Sequence, residues 1–202
     1  AEVDLAPLLR RAGTTPVAVN SEVHALSARW LMGHAKSENE DTLIVTLEDG
    51  AVGASLLIEG RPNRGCVLGG NDLGHMGLNV ETAPCVARVF STDYLHRLGG
   101  AGSLADALSA PDLPEAARRI VALTARGLAN ATVFARPHRM VVAGTPARHA
   151  RFRAELERAW REFLPAVFRD RIALEWYATQ GTISAETAGW LAIATILHGG
   201  GD

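Results

Sequence analysis

The sequence predicts an α/β fold with a mixed sheet, in which an antiparallel meander precedes parallel strands and helices lie on both faces. Two apolar runs, 42–47 and 52–58, flank a turn-forming triplet at 48–50, and this arrangement is typical of a β-hairpin. Segments with helical periodicity then alternate with short apolar runs, in the order 115–135, 140–144, 148–163 and 172–177. Strands separated by helices indicate parallel pairing, because parallel neighbours need a crossover connection.

The segment before the hairpin predicts two helices around one short strand. Residues 4–12 predict a helix and residues 16–19 a buried strand, and a second helix starts near Ser21 and ends at Gly33. The apolar residues of the second helix recur at helical spacing, at Val23, Leu26, Trp30 and Leu31. The acidic run 38–41 predicts an exposed loop that leads into the hairpin.

Glycine marks the connections in the second half of the chain. Five glycines fall within 64–79, which predicts a loop and a short strand where backbone comes close to other groups. A predicted helix over 84–98 ends at the glycines of 99–102, and Ser103 is placed to cap a short helix. A last helix is predicted over 184–197. A meander followed by such strand–helix units is the pattern of one ribonuclease-H-like lobe.

Composition excludes several classes of protein. The chain has 202 residues, of which 48% are hydrophobic and 21% charged, so it can bury a full core without disulfides. A formal net charge of −2 disfavours a polybasic nucleic-acid-binding chain. No apolar run is long enough to span a bilayer. Without a signal peptide, and with only Cys66 and Cys85 as cysteines, we expect a cytoplasmic protein with reduced thiols.

Four short runs occur in an informative order and spacing. They read PVAVNSEVHAL at 16–26, NDLGHM at 71–76, and GLANA followed by RMVVAG within 127–144. Together these runs resemble the ROK family of repressors, open reading frames and sugar kinases, in which a strand leads into an Asn-Asp helix start and a hairpin leads into Glu-x-Gly-His. The resemblance covers nearly the whole chain, although no single motif is intact. It implies an actin-like ATPase fold and a sugar ligand.

Two departures from the family pattern argue against catalysis. The family's kinases use the Asp of Asn-Asp as a general base, and the residue at that position here is Ser21. A hydroxyl without a partner base cannot take a proton near neutral pH. Glu22 is adjacent, but neighbours at a helix start point in different directions, so we do not assign it this role. The family's phosphate turn reads DGAVGAS at 49–55, with an acidic residue and fewer glycines, so ATP binding is not expected.

The resemblance implies that Asp72 and His75 contact sugar hydroxyls, with Asn20 as a third contact. The alternative is that Asp72 is a turn residue in a glycine-rich loop and His75 a surface histidine. The family's second sugar carboxylate would fall near Asp93 or Tyr94, and the sequence does not choose between these two positions.

The resemblance also points to a zinc site that is degenerate in this chain. The family often holds a structural zinc with the histidine at His75 and a cysteine run that begins here at Cys85. The other cysteine positions of that run fall on Ala87 and Thr92. A closed zinc site needs four nitrogen or sulfur ligands, so two residues do not suffice and we predict no zinc.

These observations predict that residues 1–202 are the C-terminal lobe of a ROK-type protein whose upstream lobe, and any helix-turn-helix, lie outside the chain. We expect the sugar-sensing and oligomerisation region of a transcriptional repressor without catalytic activity. A small sugar or sugar phosphate is the expected effector, DNA is contacted only through the separate N-terminal domain, no membrane is bound, and the protein forms a homo-oligomer such as a dimer. The alternatives are a fragment of an ATP-dependent sugar kinase and a dimerisation scaffold that binds no ligand.

Overall fold

The computed structural model describes residues 22–34, 39–63, 72–80 and 83–178. Four predictions lie outside the described residues: the helix over 4–12, the strand over 16–19, the helix over 184–197, and the sites at Asn20 and Ser21. Within the described ranges, no helix combines the length and the apolar character needed to cross a bilayer.

Helices and strands alternate along the described chain, after an initial hairpin. The strands are β1 (Thr42–Glu48), β2 (Ala51–Ile58), β3 (Arg61–Pro62), β4 (Gly77–Val80), β5 (Ala83–Cys85), β6 (Arg139–Ala143) and β7 (Ala173–Tyr177). The helices are α1 (Glu22–Gly33), α2 (Val86–Val89), α3 (Thr92–Arg97), α4 (Leu104–Ser109), α5 (Glu115–Ala135), α6 (Ala150–Phe163) and α7 (Ala166–Arg169). Two 3-10 turns cover Leu73–His75 and Thr145–Arg148.

The main sheet has the strand order β3-β2-β1-β6-β7. Strands β1 and β2 pair antiparallel, whereas β6 runs parallel to β1 and β7 runs parallel to β6. The predicted mixed sheet, with a meander followed by parallel strands, is therefore confirmed. Strands β4 and β5 form a separate antiparallel pair.

Helices cover both faces of the main sheet, as predicted. Side chains alternate between the two faces of a strand, so Leu43, Val45 and Leu47 of β1 enter one core while Ile44 enters the other. The larger core is closed by α5 and α6, and the smaller core by α1 through Leu26 and Trp30.

The predicted helix over 84–98 is split into three elements. Pro84 belongs to β5, and α2 and α3 are separated at Phe90 and Ser91. Ser91 has extended backbone angles, and its hydroxyl accepts a hydrogen bond from the Tyr94 N–H as the N-cap of α3. A new helix therefore starts at this point. The predicted cap at Ser103 is confirmed, because Ser103 and Asp106 form a capping box at the start of α4.

Helix α6 is anchored to α5 by a buried hydrogen-bond chain. The indole N–H of Trp160 donates to the Thr132 hydroxyl over 3.2 Å, and this hydroxyl donates to the Leu128 carbonyl over 2.7 Å. Phe152 and Leu156 are buried in the core, whereas Phe163 is 48% exposed. Phe163 is the last residue of α6, beyond the part of the helix that packs on the core.

We expect Thr132→Val to lower the free energy of unfolding by about 1–3 kcal/mol, because it leaves the buried Trp160 N–H without an acceptor. Thr124→Val is the matched control. Thr124 is equally buried on the same helix, but its hydroxyl has no hydrogen-bond partner among the described residues, so valine is expected to be neutral or stabilising. Urea denaturation of both variants measures the difference, and equal losses at the two threonines would contradict the assigned hydrogen bond.

Candidate functional site

A cavity of about 350 Å³ opens at the carboxyl end of β1 and β6. Its walls come from the start of α1, the β1–β2 hairpin, the 3-10 turn at Leu73–His75, and the residue that follows β6. The lining residues with polar or charged side chains are Glu22, Thr46, Glu48, Asp72 and His75. Ligands of open α/β sheets bind in crevices outside the carboxyl ends of the strands, so this cavity is the candidate site.

Asp72 and His75, the two described residues predicted to contact sugar, lie side by side on the cavity wall. Asp72 immediately precedes the 3-10 turn that ends at His75. Their side chains are 69% and 78% exposed, and 3.7 Å separates Oδ2 of Asp72 from Nε2 of His75. That distance exceeds a hydrogen bond, so both side chains keep polar atoms for a ligand. Contact with a sugar stays a prediction.

Gly74 positions this turn against the sheet. A Cβ atom on Gly74 would lie 2.3 Å from the carbonyl oxygen of Val52 in β2, a contact that no side chain tolerates. The turn therefore rests directly on the backbone of β2. This close approach explains physically why the Asp72-to-His75 run contains glycine at its centre.

The turn between β1 and β2 is hydrogen-bonded to the residues at the start of α3. The Gly50 N–H donates to the Phe90 carbonyl over 2.8 Å. The Asp49 carboxylate accepts hydrogen bonds from both the N–H and the hydroxyl of Thr92. The Thr92 hydroxyl also accepts from the Leu104 N–H over 2.8 Å. Asp49, which the sequence marks as unsuited to a phosphate turn, is therefore an acceptor within the protein itself.

The second glycine turn at the cavity follows β6. Gly144 has φ = +114°, and a Cβ atom there would lie 2.2 Å from the Leu47 carbonyl oxygen. Oε1 of Glu48 accepts from the Thr145 N–H over 2.9 Å and from the Thr145 hydroxyl over 3.3 Å. The Glu48 carboxylate thus accepts hydrogen bonds from both donors of Thr145.

The cavity is acidic. Glu22, Glu48 and Asp72 contribute three carboxylates, and no arginine or lysine lines the cavity among the described residues. Glu22 was set aside at the sequence level because its direction at the helix start was unknown, yet it lies on the cavity wall. Glu48 was not identified from the sequence, and its partner Thr145 is far away along the chain.

The two alternatives for a second sugar carboxylate do not border this cavity. Asp93 is exposed and lines a separate cavity of about 260 Å³, together with Arg88 and Arg97. Tyr94 also borders that second cavity, but it is 2% exposed and belongs to the larger core. Asn20 and Ser21 lie outside the described residues.

The described residues do not fit the structural zinc to which the sequence resemblance points. Cys85 is a buried free thiol. Ala87 has no ligating atom, and the Thr92 hydroxyl is hydrogen-bonded to Asp49. Across the described ranges, no group of three or more Cys, His, Asp or Glu side chains is arranged to hold a metal ion.

No protein-family model and no curated protein matches the sequence, but solved structures match the fold. A ROK hexokinase from Thermus thermophilus superposes with a TM-score of 0.70 at 23% identity, over 96% of this chain and 72% of that one. A ROK family glucokinase from Streptomyces griseus, in complex with glucose and AMPPNP, gives 0.70 at 17% identity, over 96% and 72%.

A regulator has the same architecture as these kinases. A ROK family transcriptional regulator, described as a homologue of the E. coli MLC protein, gives a TM-score of 0.67 at 18% identity, over 96% of this chain and 58% of that one. The chain therefore has the ribonuclease-H-like, actin-like ATPase fold that ROK kinases and a ROK regulator share. The fold alone does not distinguish an enzyme from a regulator.

We expect Gly74→Ala to lower the melting temperature by several degrees and to displace Asp72 and His75, because the added methyl group meets the Val52 carbonyl. Gly77→Ala is the matched control. Gly77 is exposed nearby, and the nearest atom to its added Cβ would be the Pro84 carbonyl oxygen at an ordinary 3.7 Å. Thermal melts followed by circular dichroism compare the two, and an unaffected Gly74 variant would contradict the described packing of the turn.

Proposed function

We propose that this chain is the sugar-responsive, non-catalytic lobe of a ROK-type transcriptional regulator, with DNA contacted through a separate domain. The observation that carries the proposal is the engagement of both glycine turns at the cavity. Phosphate binding at such turns needs backbone N–H groups that are available to the ligand. Here the Gly50 N–H donates to Phe90 and the Thr145 N–H to Glu48. Both N–H groups therefore donate within the protein and are not available to a phosphate.

The sequence adds a second argument against phosphoryl transfer. By resemblance, Ser21 stands where the family's kinases have their general base. A serine hydroxyl has no tendency to accept a proton from a sugar hydroxyl near neutral pH.

Sugar binding is supported by the side-by-side placement of Asp72 and His75 on the cavity wall. A carboxylate accepts hydrogen bonds from hydroxyl groups, and an imidazole can donate or accept. In a regulator, a sugar bound here acts by shifting the populations of states that bind or release DNA. We propose that self-association of this lobe brings two DNA-binding domains together.

A kinase fragment is the second candidate, and one observation favours it. Glu22 lies on the cavity wall, next in sequence to Ser21. A carboxylate at this place can accept the proton that the family's base accepts. The third alternative, a scaffold that binds no ligand, is an outcome of the binding test that follows.

We expect Asp72→Asn and His75→Ala each to weaken glucose binding about tenfold or more, because the first replaces a charged acceptor with a neutral amide and the second removes both ring nitrogens. Glucose is the probe because it is the sugar in the Streptomyces griseus structure. Asp93→Asn is the control, since Asp93 is an exposed carboxylate at the other cavity. Isothermal titration calorimetry measures the three affinities. Equal losses at all three positions, or no glucose binding by the unaltered chain, would count against this site.

We also expect no ATP-dependent phosphorylation of glucose, because the turn donors are engaged and the base is missing. A coupled assay for ADP release measures this, in the 202-residue chain and in any longer native polypeptide that contains it. Turnover that disappears in Glu22→Gln would instead support the kinase alternative.

A further inference from the structure

We infer that the cavity takes an uncharged sugar and rejects the phosphorylated form of the same sugar. This inference rests on the proposed sugar function and narrows the class of ligand, which the sequence leaves open between a sugar and a sugar phosphate. The observations that carry it are the charges of the cavity wall and the hydrogen-bond state of the groups that border it.

The three carboxylates of the wall come from three separate elements. Glu22 is the first residue of α1, Glu48 ends β1, and Asp72 precedes the 3-10 turn. Oε1 of Glu48 is used by Thr145, whereas its second oxygen and both oxygens of Glu22 have no hydrogen-bond partner among the described residues. A carboxylate only accepts hydrogen bonds. Sugar hydroxyls can donate to such oxygens, but the oxygens of a phosphate dianion cannot.

Among the described residues of this wall, few donors remain for a phosphate. The N–H groups of Gly50 and Thr145 already donate within the protein. His75 is the one lining residue of the described chain that can carry a positive side chain, and it stands 3.7 Å from the Asp72 carboxylate. A phosphate that enters the cavity would therefore lose its hydrogen bonds from water. It would meet mainly carboxylates, which accept hydrogen bonds as the phosphate oxygens do.

The N-terminal end of α1 would ordinarily attract an anion, since the backbone dipoles leave partial positive charge there. In this chain Glu22 occupies the first turn of that helix. Its carboxylate offsets the positive end, and the residue lines the same cavity. Glu22 is therefore the residue that we assign to charge discrimination, because its carboxylate repels an anion and has no hydrogen-bond partner among the described residues.

The test compares each neutral sugar with its 6-phosphate. Glucose and glucose 6-phosphate, and N-acetylmannosamine and its 6-phosphate, are titrated into the 202-residue chain by calorimetry. We expect each phosphate to bind at least about tenfold more weakly than its parent, because unit charges a few ångströms apart repel even in a high dielectric. We expect the ratio to shrink in Glu22→Gln and at high salt. Asp93→Asn, which removes a carboxylate at the other cavity, is expected to leave the ratio unchanged.

The outcomes separate this inference from the proposed function. Tighter or equal binding of the phosphorylated sugars would overturn the inference and leave the sugar function standing. A ratio that shrinks equally in Glu22→Gln and Asp93→Asn would also overturn it, since a general loss of charge would then explain the effect. Binding of no sugar in either form would overturn the proposed function, and the inference with it. Thermal melts of each variant verify that the fold is retained.

Discussion

Strand β1 is hydrogen-bonded along both edges, and the positions of the other elements follow from it. It pairs antiparallel with β2 from Thr42 to Glu48 and parallel with β6 from Thr42 to Thr46. Its side chains enter both cores, so it is buried between α1 on one face and α5 with α6 on the other. These contacts fix the position of the carboxyl end of β1. Glu48, the last residue of the strand, lines the cavity there.

The cavity therefore combines a floor of paired strands with polar groups on two closely packed turns. Gly74 rests on the β2 backbone, and Gly144 rests on the last residues of β1, so both turns are held by contacts that exclude a side chain. Glu48 accepts a hydrogen bond from the turn that follows β6, and Asp49 in the hairpin turn accepts one from Thr92. These polar groups are therefore hydrogen-bonded within the protein. We propose that this cavity, within a fold shared with sugar kinases, has a polar wall for a neutral ligand and few available donors for phosphate among the described residues.

Local signals were sufficient for most of the fold. The hairpin, α5, and the capped start of α4 were predictable because turn residues, helical periodicity and the Ser103 cap act within a few residues. The break between α2 and α3 was missed although it has a local signal, the N-cap Ser91, to which Asp49 adds a contact with Thr92 from a distant part of the chain. Asp72 and His75 could be paired from the sequence because they are neighbours on one turn. The presence of Glu22 and Glu48 on that wall depends on tertiary packing.

We propose that a sugar binds at the wall formed by α1, the hairpin and the Asp72-to-His75 turn. Nuclear magnetic resonance of the isotope-labelled chain during a glucose titration locates the binding site residue by residue. We expect saturable shifts of the backbone amides of Gly74, His75 and Gly53, with those around Arg88 and Arg97 at the second cavity unchanged. Saturable shifts centred on the second cavity, or no shifts at all, would contradict it.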